Sequence, residues 1–209
     1  MRQHVNPLSK YFKVVKPLPP LGEIFKNPDL PLHIDFGCGA AGFLINLASE
    51  NPEWNYLGIE IREKLVKNAS KKIKEKNLEN LYLTFANAEN LIKCSLQKLP
   101  KEIIKSVSFN FPDPWFKKKH HKRRILQKEF IMDLSLLMPS GSLISIKSDV
   151  EDLYTHMDSV ISDILIFKKL APEEYEYSQS FNPQNLKTER EIYATSNKLL
   201  VHEQIYMKI

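Results

Sequence analysis

From residue 32 onward, short apolar runs alternate with segments whose apolar positions recur every three or four residues. Leu32 to Phe36, Trp54 to Ile61, Leu81 to Phe85, Val107 to Phe111 and Ser142 to Ile146 read as strands buried on both faces. Between them, Phe43, Leu44, Leu47 and Ala48 fall at helical spacing, as do Leu65, Val66, Ala69 and Ile73. Lysines take the other face of that second helix. A weaker helix is predicted around residues 89–98, and stronger ones over 124–138 and 150–168, before a terminal strand from Leu200 to Met207. Such alternation predicts an α/β fold, a mostly parallel sheet with helices on both faces. Ligands in these sheets bind at the carboxyl ends of the strands. Those ends carry Asp35, Glu60, Asn87, Asp113 and Asp149.

Composition narrows the class without naming a function. The chain has 209 residues, 43% hydrophobic and 26% charged, as in an ordinary globular protein. The net charge is only +5, so where the cations cluster matters more than their sum. Cys38 and Cys94 lie far apart without metal-ligand spacing, which predicts a reducing compartment, no disulfide framework and no metal. The absence of a long apolar run or signal-like start predicts a cytoplasmic protein with no membrane partner. Residues 1–31 hold six of the 13 prolines and are basic, so they are expected to form an N-terminal extension. Residues 32–209 are expected to form one domain.

Asp35-Phe36-Gly37-Cys38-Gly39-Ala40-Ala41-Gly42 follows the first strand and opens a helix. Its glycines match the spacing of a nucleotide-cofactor turn. Glu60, at the end of the second strand, is placed to accept both hydroxyls of a ribose. Asp35 would repel a pyrophosphate and suits a cationic ligand, such as the ammonium of a methionyl group. Asn87 is a candidate for the adenine edge, or simply a polar strand-end residue.

Phe111-Pro112-Asp113-Pro114-Trp115 joins a carboxylate and an aromatic ring in a loop stiffened by two prolines. Each proline biases the residue before it, Phe111 or Asp113, to extended backbone. Six of the eight residues from Lys117 to Arg124 are Lys or Arg. A carboxylate beside a polyanion-binding run points to chemistry on a nucleic acid. Thr188-x-x-Glu191 has the form of a helix capping box.

Together these residues resemble a class I S-adenosylmethionine-dependent methyltransferase, and more narrowly the bacterial tRNA (guanine-N7-)-methyltransferase family. The proline motif with its basic run carries the narrower resemblance, with Gly58-Ile59-Glu60, Ser148-Asp149, Thr188-Glu189-Arg190-Glu191 and Arg2 to Leu8. The resemblance implies a Rossmann-like domain with an antiparallel C-terminal strand. It implies S-adenosylmethionine contacts from Asp35, Gly37, Gly39, Glu60, Asn87 and Asp113, and substrate contacts from Lys117, Asp149, Thr188, Glu189, Arg190 and Glu191. Asp35 stands where many relatives have Glu, Asn87 where many have Asp, and Arg190 where an aromatic residue is common.

The implied reaction is methylation of guanosine N7 in the tRNA variable loop, at position 46 of tRNA nomenclature. Asp113 is the catalytic candidate, and Trp115 either stacks on the base or packs beside the loop. Lys118, Lys119, Lys122, Arg123 and Arg124 would meet the RNA backbone. The partner is tRNA, and the enzyme is expected as a monomer or homodimer. Methylation of a base amino group and non-catalytic RNA binding are the alternatives.

Overall fold

The computed structural model describes residues 5–13, 17–171, 174 and 186–209. Arg2, Gln3 and His4 of the N-terminal motif lie outside the described residues. Five parallel strands form the body of the sheet: β1 (Leu32–Phe36), β2 (Asn55–Glu60), β3 (Leu81–Phe85), β4 (Ile104–Asn110) and β5 (Leu143–Ser148). A short β6 (Phe167–Lys169) and β7 (His202–Lys208) complete it, in the order β3-β2-β1-β4-β5-β7-β6, with β7 antiparallel to both neighbours. The direction of strand progression reverses between β1 and β4. That is the switch point at which such sheets open a crevice for ligands.

Alternation along the strands sorts side chains onto two faces. Leu32, Ile34 and Phe36 of β1 join Leu57, Ile59, Val107 and Phe109 on one face. Phe36 stacks on Phe109 at 5.1 Å between ring centroids, and Phe130 meets Phe36 edge-on at 5.3 Å. The helices α4 (Ala88–Cys94), α5 (Lys128–Ser135) and α6 (Glu151–Ser162) contribute Leu91, Ile92, Ile131, Leu134, Leu153 and Met157 to this core. On the other face, α2 (Gly42–Glu50) and α3 (Glu63–Glu75) pack Leu44, Leu47, Val66 and Ile73 against Tyr56, Leu81 and Leu83.

The switch point itself is polar on that second face. His33 lies between Ser106 and Ser108, with Nδ1 3.0 Å and Nε2 3.1 Å from their hydroxyls, and the Ser108 hydroxyl donates onward to Asp35 Oδ1 at 2.6 Å. These cross-strand pairs satisfy groups that would otherwise be costly to bury.

Several elements differ from expectation. The predicted 124–138 helix is shorter because Lys118–Arg123 form a 3-10 turn and Arg124 is extended (φ −61°, ψ 138°). The 89–98 segment breaks at Ser95, and a 3-10 turn, Leu96–Lys98, follows. The chain leaves the predicted 150–168 helix at Ser162 and spends Phe167–Lys169 on β6, whose residues pair with Tyr206–Lys208. Phe111 is not extended: its φ is 49°, and Trp115 has φ 46°. The Phe111 N–H still donates to Lys147 O at 2.8 Å and its side chain is buried, so core and ladder hold the backbone there. Each such non-glycine conformation costs on the order of 1–3 kcal/mol, strain that concentrates at functional loops. Within the N-terminal region, α1 (Leu21–Ile24) supplies Leu21, and Phe25 follows it into the core.

Candidate active site and RNA-facing surface

The glycine turn is pinned to β2. Gly37 and Cys38 donate backbone N–H groups to Ile59 O at 2.8 and 3.2 Å. Gly37 (φ 83°) and Gly39 (φ 59°) adopt left-handed backbone that side chains disfavour. Cys38 sits between them, and burial, then Asp35 and Glu60, raises its thiol well above the ordinary range.

Glu60 is buried beside this turn. Its Oε2 accepts from Gly39 N (2.9 Å) and Arg62 Nη2 (3.0 Å), and its Oε1 from Arg62 N (2.9 Å) and Nε (2.8 Å). Asp35 is turned into the sheet instead. Ser108 and Asn110 (3.2 Å) both donate to its Oδ1. Burial pushes its carboxyl up to about 6, opposed by those two bonds and reinforced by Glu60.

A cavity of about 410 Å³ opens at these strand ends, lined by Gly37, Glu60, Asn87, Asp113, Trp115 and Arg123 among others. Val5, Pro7 and Leu8 close one side of it. Asn87 caps α4, accepting from Asn90 N (3.2 Å) and donating to Pro7 O (3.1 Å). Asn90 in turn donates to Phe12 O at 2.8 Å, so α4 carries the N-terminal segment.

The basic run divides in two. Lys117, Lys118, Lys119 and Lys122 are exposed. Arg123 lies over the Trp115 ring at 5.0 Å, and His120 meets that ring edge-on. Arg124 is not available to a phosphate, because its side chain is only 2% exposed. It donates from Nε to Pro114 O at 2.9 Å and pairs through Nη2 with Asp152 on α6. The run's last cation therefore holds the proline loop from behind.

A second group forms at the end of β5 around α7 (Glu189–Ser196). Thr188 caps the helix, accepting from Glu191 N at 3.0 Å. The Glu191 carboxylate turns away from the reciprocal bond of a capping box to Lys147 Nζ at 3.1 Å, where Glu203 also arrives at 3.1 Å. Arg190 pairs with the buried Asp149 and lies 4.7 Å over the Tyr193 ring. Glu189 Oε1 packs so closely on Gly42 that a Cβ there would stand 2.9 Å from it. The expected substrate group thus abuts the first turn of α2, directly after the glycine turn.

Arg62, Lys147 and Ser108 were not anticipated. Their signals were faint: a cation two residues past a site acid, and polar residues inside otherwise apolar strands. Among the described residues no cluster of His, Cys, Asp and Glu is arranged to hold a metal, and no helix is long and apolar enough to cross a membrane.

A family described as putative methyltransferase matches residues 29–204. A protein of Prochlorococcus marinus subsp. pastoris named tRNA (guanine-N(7)-)-methyltransferase is 52% identical over 209 residues, covering all of both chains. The chain belongs to the tRNA (guanine-N7-)-methyltransferase family. A relative of the same name from Synechococcus elongatus is 39% identical over 212 residues, covering all of this chain and 96% of the relative. The fold is shared more widely. A putative methyltransferase from Streptococcus mutans, solved in complex with SAH, superposes with a TM-score of 0.52 at 13% identity over 90% of this chain and 93% of that one. Family membership and the sheet together make this a class I, S-adenosylmethionine-dependent methyltransferase.

Proposed function

We propose that this chain transfers the methyl group of S-adenosylmethionine to N7 of a guanosine in the variable loop of tRNA, at position 46. What carries the reading is one juxtaposition: Asp113 and Trp115 line the same cavity as Gly37 and Glu60, and so do Lys122 and Arg123 of the basic run. The cavity has the size of a small-molecule site. The residues suit the cofactor: a glycine turn, a buried carboxylate oriented by backbone amides and a second buried carboxylate at Asp35.

The bound cofactor supplies an electrophilic methyl on a sulfonium. Guanine N7 carries an in-plane lone pair that is free at neutral pH, so the chain needs no strong base. Its task is to align the reacting atoms, a proximity effect. Asp113, held between two prolines, stabilises the positive charge that grows on the purine, as preorganised electrostatics do elsewhere. Trp115 offers a face to an extruded base. The exposed lysines, with Arg123, take phosphates, while Asp149 and the Thr188–Glu191 segment bound the substrate side. The partner is tRNA and the compartment the cytoplasm.

The test is incubation with methyl-labelled S-adenosylmethionine and unmodified tRNA, then nuclease digestion and nucleoside analysis. Label in 7-methylguanosine at the variable loop is expected. Label confined to N2- or N6-methyl nucleosides would replace the reading with amino-group methylation.

A further inference from the structure

A carboxylate offers about four lone-pair positions. In Glu60 the bonds to Gly39 and Arg62 fill all four. The two sets of donors differ in kind. The amides of Gly39 and Arg62 are backbone, fixed by the glycine turn and by the strand end. The Nε and Nη2 donors belong to a side chain that is 35% exposed and lines the cavity, while Glu60 is 2% exposed. The guanidinium also lies against the glycine turn, with Nη2 3.9 Å from where a Cβ of residue 39 would stand.

A ribose presents its cis-diol as two adjacent O–H donors. If they are to reach Glu60, only the guanidinium's two positions can be given up. We infer that Arg62 is a built-in placeholder for the cofactor ribose, occupying Glu60 until the diol displaces its side chain. This rests on Glu60 being the ribose acceptor. While paired, the fork keeps a buried carboxylate satisfied and aimed, which limits the cost of an empty site. The backbone amides preserve that aim after the side chain leaves. Displacement then subtracts from cofactor affinity, so Arg62 loosens binding and helps the spent cofactor to depart. The charge of Asp113 already acts on the guanidinium while it is paired with Glu60.

Calorimetry with S-adenosylhomocysteine, and with its 2′,3′-dideoxy counterpart, tests this directly. Arg62→Ala should tighten S-adenosylhomocysteine about tenfold, the scale of a half-exposed charge-assisted pair. It should leave the dideoxy ligand unchanged, because that ligand has no need of Glu60. Arg62→Lys keeps the charge but loses the fork, so it should fall between, and it decides the matter if the alanine variant folds poorly. Weaker or unchanged binding of S-adenosylhomocysteine in both variants would overturn the inference. So would equal tightening of both ligands. Glu60→Ala separates the two levels of the argument. If it leaves S-adenosylhomocysteine affinity intact, the ribose reading fails. If it weakens binding while the Arg62 variants bind like wild type, only the placeholder role fails.

Discussion

Arg124 donates from Nε to the carbonyl oxygen of Pro114 at 2.9 Å, across ten residues of chain. Pro114 follows Asp113 and precedes Trp115, so this bond anchors the loop between the carboxylate and the ring. Asp152 holds the guanidinium from α6. Arg124→Lys can satisfy Asp152 or Pro114 but cannot bridge them as the fork does. The expected result is a fall in kcat of roughly 10- to 100-fold, the scale for small misplacements of a reacting group. Cofactor affinity should stay within a few-fold. Single-turnover methylation beside calorimetry checks this, and an unchanged rate in a variant with lowered Tm would reduce Arg124 to a stabilising role.

The exposed part of the basic run should govern the salt dependence of tRNA binding. Replacing Lys118, Lys119 and Lys122 with Gln should flatten the slope of log K against log salt by about 2–3, since each phosphate contact contributes roughly 0.7–0.9. Arg124→Lys should leave the slope as it is. Filter binding across a salt series reads both, and an identical slope in the triple variant would detach those lysines from the RNA.

Asp113→Asn keeps the shape of the side chain and removes its charge. If the carboxylate stabilises charge that appears during transfer, the single-turnover rate should drop about 100-fold or more. Affinities for tRNA and cofactor should move much less, because the interaction is made mainly in the transition state. A variant that binds tRNA far more weakly yet methylates normally at saturation would make Asp113 a binding residue.

Asp35 ties stability to pH with a definite sign. Its folded pKa of about 6 lies above an ordinary aspartate value. The stabilisation from this group is therefore full below about pH 4 and is lost as pH rises through 6. Asn at this position titrates nowhere. Asp35→Asn should raise Tm at pH 7.5, and the gain should shrink as the pH is lowered to 5. S-adenosylmethionine binding by the wild type should weaken over the same fall, as the buried Asp35 carboxylate proposed for the cofactor is neutralised. Thermal melts and titrations at both pH values decide it; a gain that grows toward pH 5 would contradict the assignment.

The strands and the glycine turn were legible because each rests on local signals. Leu32 to Phe36 is an apolar run that ends at glycines, and β1 spans the same residues. Glu60, Asp113 and Asn87 were placed by the same logic and do line one cavity. Pairings across long separations were not legible. Nothing near Arg124 in sequence announces Asp152, and nothing near Arg190 announces Asp149, 41 residues away. A charge run cannot say which of its members turns inward. The φ of Phe111 departs from the rule for residues before proline because that rule is local, whereas its conformation is imposed by burial and by the bond to Lys147. Phe167 and Lys168 of β6 fall within the predicted helix because the apolar run Ile164 to Phe167 does not by itself distinguish strand from helix.

Cys38 builds a sulfur nucleophile into the glycine turn, with Sγ packed toward β2, 2.8 Å from where a Cβ on Gly58 would stand. Only the thiolate is an effective nucleophile. Burial, with Asp35 and Glu60, keeps the proton on that sulfur at neutral pH. Burial first, and the two acids second, therefore keep this thiol a poor nucleophile, and the intact mass of the enzyme should not change over many turnovers. A nucleophile can thus be part of a cofactor turn without being left reactive.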